Sequence, residues 1–246
     1  MLFYTILEEN NIKNIFNSCT ERLEKFLQDP ELFYVLNLSE DPSQLVVKAK
    51  IVPHSSDDSI HHIYTEFFIY QPIMEYYAFN LFMTKDERKI TQPNIESKKI
   101  LYKFEDRKTD TMYFIVETKT KSFLFFKGKI FLDIYCLRKL KNGKYVEVRK
   151  SVDIPGYDFD ENYQKIVNLE YVQEFTPIYD LDGEYLGATV QNFSISIPKI
   201  NTSFAMIKPF LIKAVKTDYF MTKKLLDERI EKNDRSFLKM INNKET

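Results

Sequence analysis

The 246-residue chain has no tryptophan, five glycines, three histidines and two cysteines. Cys19 and Cys136 provide neither a disulfide framework nor the CxxC spacing of a metal site. His54, His61 and His62 form no HExxH motif, and the adjacent pair would point to opposite faces of a strand. We therefore expect no metal, no cofactor and a reducing, cytoplasmic environment.

Other common signals are also missing. No window approaches the roughly 18 apolar residues that a membrane span requires, and the first nine residues lack the basic segment of a signal peptide. The net charge of −1 gives no general attraction for nucleic acid. Neither a GxSxG motif nor a phosphate-binding glycine loop occurs. These absences argue against a membrane-spanning protein, a nucleic-acid-binding protein and the common hydrolases.

Aromatic residues are abundant, with 21 phenylalanines and 16 tyrosines. An ordinary small core does not need so many, and a large apolar interior would use them. A genome biased toward the codons for Phe, Tyr, Ile, Asn and Lys explains the excess equally well. The composition alone therefore leaves the character of the interior open.

Hydrophobic periodicity predicts three helices and about nine strands. Helical spacing occurs at residues 9–28, at 72–88 and along the C-terminus from 200 to about 232. Strand patterns rich in β-branched and aromatic residues fill most of the remainder. They lie at 32–38, 44–52, 60–70, 98–105, 111–118, 123–139, 144–153, 164–176 and 185–197.

This order of elements predicts an α+β fold. We expect one domain over residues 1–246, with an N-terminal helix at 1–30, a sheet at 31–199 and a lid helix at 200–240. The turns at Asn142-Gly143 and Asp182-Gly183 indicate antiparallel hairpins, the first of type I′. A curved antiparallel sheet around a long helix leaves an interior that side chains need not fill, so we expect a central apolar cavity.

Several segments resemble, in order, motifs of the START (steroidogenic acute regulatory protein-related lipid transfer) domain family. The family's helix ends in an Arg-x-x-Trp-Asp motif, and its C-terminal helix follows a Ser-Ile-Pro-Lys segment. The similar segments span about residues 70–230. They are Arg88–Gln92 with Asn94–Ser97, Lys129–Asp133, Leu137–Val146, Arg149–Pro155, Ser196–Lys199 and Pro209–Leu211.

The resemblance implies a helix-grip fold whose tunnel holds one lipid. In phosphatidylcholine-transfer members, which these motifs resemble most, the Arg and Asp of the first motif contact phosphate and choline. Arg88 is retained and could form paired hydrogen bonds with a phosphate, whereas Gln92 supplies no charge for a quaternary ammonium. Tyr135 stands where sterol binders carry an arginine, so the resemblance favours a phospholipid over a sterol.

The remaining site predictions concern the tunnel wall and its opening. Pro209 is the predicted hinge of the lid helix, because proline removes a backbone donor. Phe123, Phe125, Phe126 and Lys127 are predicted to touch the membrane, with lysines at the headgroups. The predicted lining residues are Phe131, Asp133, Tyr135, Tyr171, Phe193, Phe204, Ile207, Leu211 and Val215.

The sequence therefore favours a non-catalytic, monomeric lipid-transfer protein that contacts membranes transiently and binds no nucleic acid. One alternative is a helix-grip cyclase or hydrolase, for which Asp133, Tyr135 and Glu170 are the available titratable groups. Another is a structural membrane-contact module whose own aromatic side chains fill the interior. The enzyme should place at least two titratable groups with shifted pKa values inside its cavity. The structural module should have no continuous tunnel beneath the C-terminal helix.

Overall fold

The computed structural model describes residues 16–17, 20–21, 24, 34–37, 45–51, 61–122, 127–154, 156–166, 170–196 and 204–242. The five described residues between 16 and 24 are helical, and the rest of the predicted N-terminal helix lies outside the described residues. Among the helices that are described, none is both long and apolar enough to cross a bilayer.

Ten strands of the described residues form a single mixed but mainly antiparallel sheet. Its order is β1-β2-β3-β10-β9-β7-β6-β5-β4, and β8 pairs in parallel with β6. The strands are β1 (Tyr34–Asn37), β2 (Leu45–Ile51), β3 (His61–Ile69), β4 (Ile95–Asp106), β5 (Thr111–Thr120), β6 (Lys129–Lys139), β7 (Tyr145–Ser151), β8 (Gln164–Ile166), β9 (Glu170–Tyr179) and β10 (Tyr185–Ser196).

Two predictions about the sheet need correction. The single strand expected at 164–176 is two strands, because β8 adds to β6 while β9 pairs with β7 and β10. The turn at Asn142-Gly143 is not type I′, since only Gly143 has a positive φ there. Gly143 N donates to Leu140 O at 3.0 Å, which makes a type I turn followed by a left-handed glycine.

The helix expected at 72–88 is two helices, α1 (Ile73–Phe82) and α2 (Lys85–Thr91). The break comes from a capping box at Thr84. The Thr84 hydroxyl accepts from Glu87 N at 3.3 Å, and the Glu87 carboxylate accepts from Thr84 N at 2.8 Å. This reciprocal pair satisfies backbone donors that a new helix would otherwise leave free, so the chain restarts its helix at this point.

The C-terminal helical region is also divided, into α3 (Phe204–Glu231) and α4 (Ser236–Asn242). Asn233 adopts a positive φ of 54°, and Asp234 N donates to Arg229 O at 2.8 Å. These features close the end of α3 in the manner of a left-handed C-terminal cap. Arg229 also bonds to Glu87, at 2.8 Å, and thereby links α3 to α2.

The sheet is apolar on both faces. On β6, Leu132, Ile134 and Cys136 belong to one buried cluster, while Tyr135 and Leu137 belong to the other. This division follows the alternation of side chains along a strand. The helices α1, α3 and α4 cover the Tyr135 face, where Tyr219 of α3 meets Phe67 at 5.0 Å between ring centroids.

Candidate functional site

A cavity of about 280 Å³ lies between the Tyr135 face of the sheet and the helices α1 and α3. Strands β3, β4, β6, β7, β9 and β10 supply its floor. The lining is aromatic and strongly polar. It consists of Thr65, Phe67, Tyr76, Tyr77, Asn80, Leu81, Gln92, Lys98, Tyr135, Glu147, Arg149, Tyr171, Gln173, Phe175, Asn192, Ser194, Asp218 and Tyr219. The structure thus has a cavity at the expected place, and its wall carries more polar and charged side chains than the expected apolar cavity.

Strand register builds the centre of this cavity. Arg149 on β7 is directly opposite Tyr135 on β6 and Tyr171 on β9. Its guanidinium carbon lies 4.4 Å from the Tyr135 ring centroid and 4.3 Å from the Tyr171 centroid. Cross-strand neighbours on one face are close enough for such contacts, and the two rings hold the cation by cation–π attraction.

Glu147 neutralises Arg149 from the same strand. Arg149 Nε and Nη2 both donate to Glu147 Oε2, at 2.8 and 2.6 Å. The Glu147 side chain is fully buried. Burial alone would lower the pKa of Arg149, but Glu147 and the two tyrosines raise that pKa well above its usual value. Arg149 therefore stays protonated inside the cavity.

Lys98 enters the cavity from β4. Its Nζ lies 5.0 Å from the Tyr135 ring centroid, and it forms no ion pair with a carboxylate of the described residues. Burial lowers the pKa of Lys98 to about 7, and the positive charges of Arg149 and Arg88 act in the same direction. Glu147 and Asp218 offset only part of that shift. Lys98 is thus a poorly neutralised cation close to the protein interior.

Asp218 faces the cavity from the middle of α3. Its Oδ1 accepts from Gln92 Nε2 at 3.3 Å and from Thr222 Oγ1 at 3.4 Å. Burial raises the pKa of Asp218, although both hydrogen bonds and the nearby cations counteract it. Asp218 is therefore held in the cavity beside Gln92, the residue that ends α2.

Three buried polar atoms of the lining have no hydrogen-bond partner in the structure. They are the Tyr77 hydroxyl, Glu147 Oε1 and Asn192 Oδ1. Tyr77 and Glu147 are close enough for Glu147 to add to burial in raising the pKa of Tyr77. Leaving a buried donor or acceptor unpaired costs about 1–3 kcal/mol. Because the Tyr77 hydroxyl also lies within reach of Glu147, Asn192 Oδ1 is the clearest acceptor that the described cavity wall leaves open to a molecule inside it.

Arg88 lies just outside the cavity lining. It is buried on α2, and its Nη2 donates to Met83 O at 2.9 Å. Its Nη1 is buried without a partner, and burial lowers its pKa. The carbonyl of Met83 holds the Arg88 guanidinium at the α1–α2 junction. Arg88, the residue predicted to contact a phosphate, is therefore not part of the cavity lining, whereas Gln92 is.

The strand residues predicted to line the tunnel divide between the two faces. Tyr135 and Tyr171 line the cavity. Phe131 and Asp133 share the face of Tyr135 but lie nearer the start of β6, where Asp133 Oδ1 accepts from Ser151 at 2.9 Å. Burial raises the pKa of Asp133 to about 6. Neither residue belongs to the cavity lining.

Phe193 lies on the opposite face of the sheet, in the cluster that contains Val148 and Val172. Its neighbours on β10, Asn192 and Ser194, line the cavity instead. The prediction that Phe193 lines the cavity is therefore wrong. The cause is strand alternation: a large aromatic residue can be buried equally well on either face of a sheet that is covered on both.

Most of the residues predicted to form the roof of the cavity or to touch the membrane have side chains that the structure does not describe. The helix α3 is continuous through Pro209, while the side chains of Phe204, Ile207, Leu211 and Val215 lie outside the described residues, as do Phe123, Phe125 and Phe126. Lys127 is exposed. The hinge, the roof and the membrane contact therefore stay predictions.

Sequence reasoning missed Glu147, Arg149, Lys98 and Asn192. A usable signal exists in Val146-Glu147-Val148-Arg149, where charged residues alternate with valines. Such alternation is normally read as a strand with one wet face. In this protein the charged side chains face the cavity under the helices and the valines face the other apolar cluster.

No family model and no curated protein sequence matches this chain. Its solved structural neighbours are START-type domains. Human StAR-related lipid transfer protein 5 superposes with a TM-score of 0.62 at 12% identity, covering 89% of this chain and 98% of that one. Human STARD10 gives 0.61 at 10% identity over 91% and 87%.

A STAR-related lipid transfer protein fragment from Xanthomonas axonopodis gives a TM-score of 0.58 at 9% identity, over 80% of this chain and 99% of that chain. Identities this low show the fold. The protein has the START helix-grip fold, an open antiparallel sheet with a long C-terminal helix across one face.

Proposed function

We propose that the protein is a non-catalytic lipid-binding and lipid-transfer protein. It holds one phospholipid or similar lipid between the sheet and α3 and exchanges it at membranes. The observation that carries the proposal is the cavity of about 280 Å³ between the sheet and the helices, whose wall combines aromatic side chains with buried polar and charged ones. Two of the structural neighbours, human StAR-related lipid transfer protein 5 and the Xanthomonas axonopodis fragment, are named as lipid transfer proteins, which supports the same function.

The cavity suits the polar end of a lipid. Its volume is near the lower end of the roughly 300–1,000 Å³ range of small-molecule sites, and its polar groups converge on one region around Arg149. In this proposal the acyl chains continue beneath the N-terminal half of α3, where burial stabilises them by about 25 cal/mol per Å² of apolar surface. Exchange then requires α3 or a nearby loop to move at the membrane.

Lipid extraction from vesicles tests this function. Delipidated protein is mixed with vesicles that contain a self-quenched fluorescent phospholipid, and dequenching reports extraction. Ser194→Phe places a large ring in the cavity, whereas Ser97→Phe makes the same change at an exposed site on β4. We expect wild type and Ser97→Phe to extract lipid and Ser194→Phe to extract several-fold less. Folded wild-type protein that extracts no lipid would overturn the proposal.

A second candidate is a helix-grip enzyme, and one observation favours it. Lys98 and Asp218 both face the cavity with pKa values shifted toward neutrality, and such groups are typical of acid–base catalysis. The two functions differ in the fate of the ligand. Lipid recovered unchanged after prolonged incubation supports transfer, whereas a product that forms with wild type and fails to form with Asp218→Asn supports catalysis.

The third reading, a module filled by its own aromatic side chains, does not agree with the described residues. Tyr76, Tyr77, Tyr135 and Phe175 line the cavity without closing it. The aromatic excess therefore serves at least in part as cavity wall.

A further inference from the structure

We propose that Lys98 is the ligand-selecting residue of the cavity and that the bound molecule presents an anionic oxygen group to its ammonium. This inference rests on the lipid-binding function proposed above. It also moves the headgroup contact from Arg88, which lies outside the cavity lining, to a strand residue inside it.

The first argument is the distribution of charge. Two basic and two acidic residues line the cavity, and one pair of them, Arg149 and Glu147, neutralise each other through two short hydrogen bonds. Asp218 is held by Gln92 and Thr222. Lys98 alone among these four has neither an ion pair nor a hydrogen bond with a described residue, so its three donors are available to a ligand.

The second argument concerns the aromatic walls. Aromatic faces around a cavity often bind a cationic ligand group by cation–π attraction. Here the protein's own guanidinium occupies the space between Tyr135 and Tyr171, and Lys98 lies over the Tyr135 ring. Because Glu147 already neutralises Arg149, the ammonium of Lys98 is the charge that a ligand would meet here, and it would repel a further cation and attract an anion. The walls therefore select against a quaternary ammonium at this place.

The third argument is the free-energy cost of placing the protonated Lys98 side chain in the cavity. Burial and the charges of Arg149 on β7 and Arg88 on α2 disfavour its protonated form, against weaker support from Glu147 on β7 and Asp218 on α3. A ligand anion within hydrogen-bonding distance would favour the protonated form and regain this energy on binding.

A carboxylate and a phosphate share the chemistry that Lys98 recognises. Three probes with the same ten-carbon chain separate these sources: decanoate, decyl phosphate and the uncharged decanol. Each is titrated into delipidated protein by isothermal calorimetry. We expect both anions, or one of them, to bind at least about tenfold more tightly than decanol, with the preferred anion identifying the headgroup class.

Matched variants then test the residue. Lys98→Met removes the charge inside the cavity, and Lys99→Met removes the same charge from the exposed neighbour on β4. We expect Lys98→Met to reduce the ratio of anion affinity to decanol affinity about tenfold, and Lys99→Met to leave the ratio as in wild type. The variant should fold, because methionine replaces a buried cation.

The effect of pH gives an independent readout. Decanoate stays ionised from about pH 6 to about pH 9, while the Lys98 ammonium loses its proton between them. The preference for decanoate over decanol should therefore fall as the pH rises, and it should not change in Lys98→Met.

Equal affinity of wild type for the anions and decanol would overturn the inference, as would an unchanged ratio in Lys98→Met or failure of all three probes to bind. The vesicle experiment decides the proposed function separately. Phospholipid extraction without any preference for an anion would leave lipid transfer standing and remove only the role of Lys98.

Discussion

Arg149 and Glu147 are two residues apart on one strand, and both guanidinium hydrogen bonds converge on a single oxygen of the carboxylate. The second oxygen, Glu147 Oε1, is also buried, and Glu147 contributes to the raised pKa of Tyr77 nearby. The sheet register surrounds this ion pair with Tyr135 and Tyr171. A buried carboxylate and its arginine partner are therefore at the centre of the cavity.

Breaking this pair should be costly. We expect Glu147→Leu to destabilise the protein by about 3–5 kcal/mol, because it leaves the Arg149 guanidinium buried without a counter-ion. The double variant Glu147→Leu with Arg149→Met should recover most of that loss, since apolar replacement of a buried pair is often neutral. Urea unfolding of the two variants measures the difference. Equal destabilisation by both would show that the pair does not act as a unit.

Lys98→Met should stabilise the protein near neutral pH by about 1–3 kcal/mol, the usual scale for an uncompensated buried polar group. The pKa of Lys98 is about 7 in the folded state, below the value of about 10.4 in an unfolded chain. Between these two values the unfolded state binds more protons, so wild-type stability should rise with pH across that window. The cost of burial is complete below pH 7.

To test this, the free energy of unfolding is measured for wild type and for Lys98→Met from about pH 6 to about pH 10, and the variant's value is subtracted from the wild-type value. This difference should rise with pH. Subtraction removes the other titrating groups. A difference that stays flat, or that moves against wild type as the pH rises, would contradict the account of Lys98 as a buried, weakly compensated cation.

Thr84→Ala should lower stability by about 1 kcal/mol, because the capping box at the start of α2 loses its side-chain acceptor. Lys85→Ala, at the exposed next residue, is the matched control and should change stability little. Thermal melting of both variants is sufficient. If the two variants melt together, the cap does not stabilise the α1–α2 break.

Gly187→Ala should be more harmful than Gly183→Ala. A Cβ at Gly187 would lie 2.3 Å from Phe68 Cζ and 2.4 Å from the backbone oxygen of Ile69, whereas at Gly183 nothing lies within 4 Å. Both glycines have positive φ, so the control has the backbone cost of about 1 kcal/mol without the clash. Chemical denaturation should show the larger loss at Gly187, and an equal loss would indicate that Phe68 moves aside freely.

Much of the fold could be predicted from local sequence patterns. β-Branched and aromatic runs located the strands within a few residues, and the apolar spacing located the C-terminal helix. The breaks at Thr84 and Asn233 were missed because each depends on a few backbone and capping bonds. The helical spacing of apolar residues is the same on both sides of these breaks, so the spacing does not reveal them.

The site was harder to predict because it depends on which strands are neighbours. The alternation of Glu147 and Arg149 with valines is typical of a strand with one solvated face, yet both charged residues line the cavity. The environment of Arg149 comes from β6, β9 and a helix about 70 residues further along the chain. Tyr135, Tyr171 and Gln92 could be proposed as site residues; their grouping around Arg149 and Lys98 could not.

The most direct test of the central claim is native mass spectrometry of delipidated protein after incubation with phospholipid vesicles and repurification. The account predicts a complex of one protein with one lipid, and loss of that complex in Ser194→Phe, whose ring fills the cavity. Folded wild-type protein that emerges with no bound lipid from vesicles of every headgroup class would contradict it.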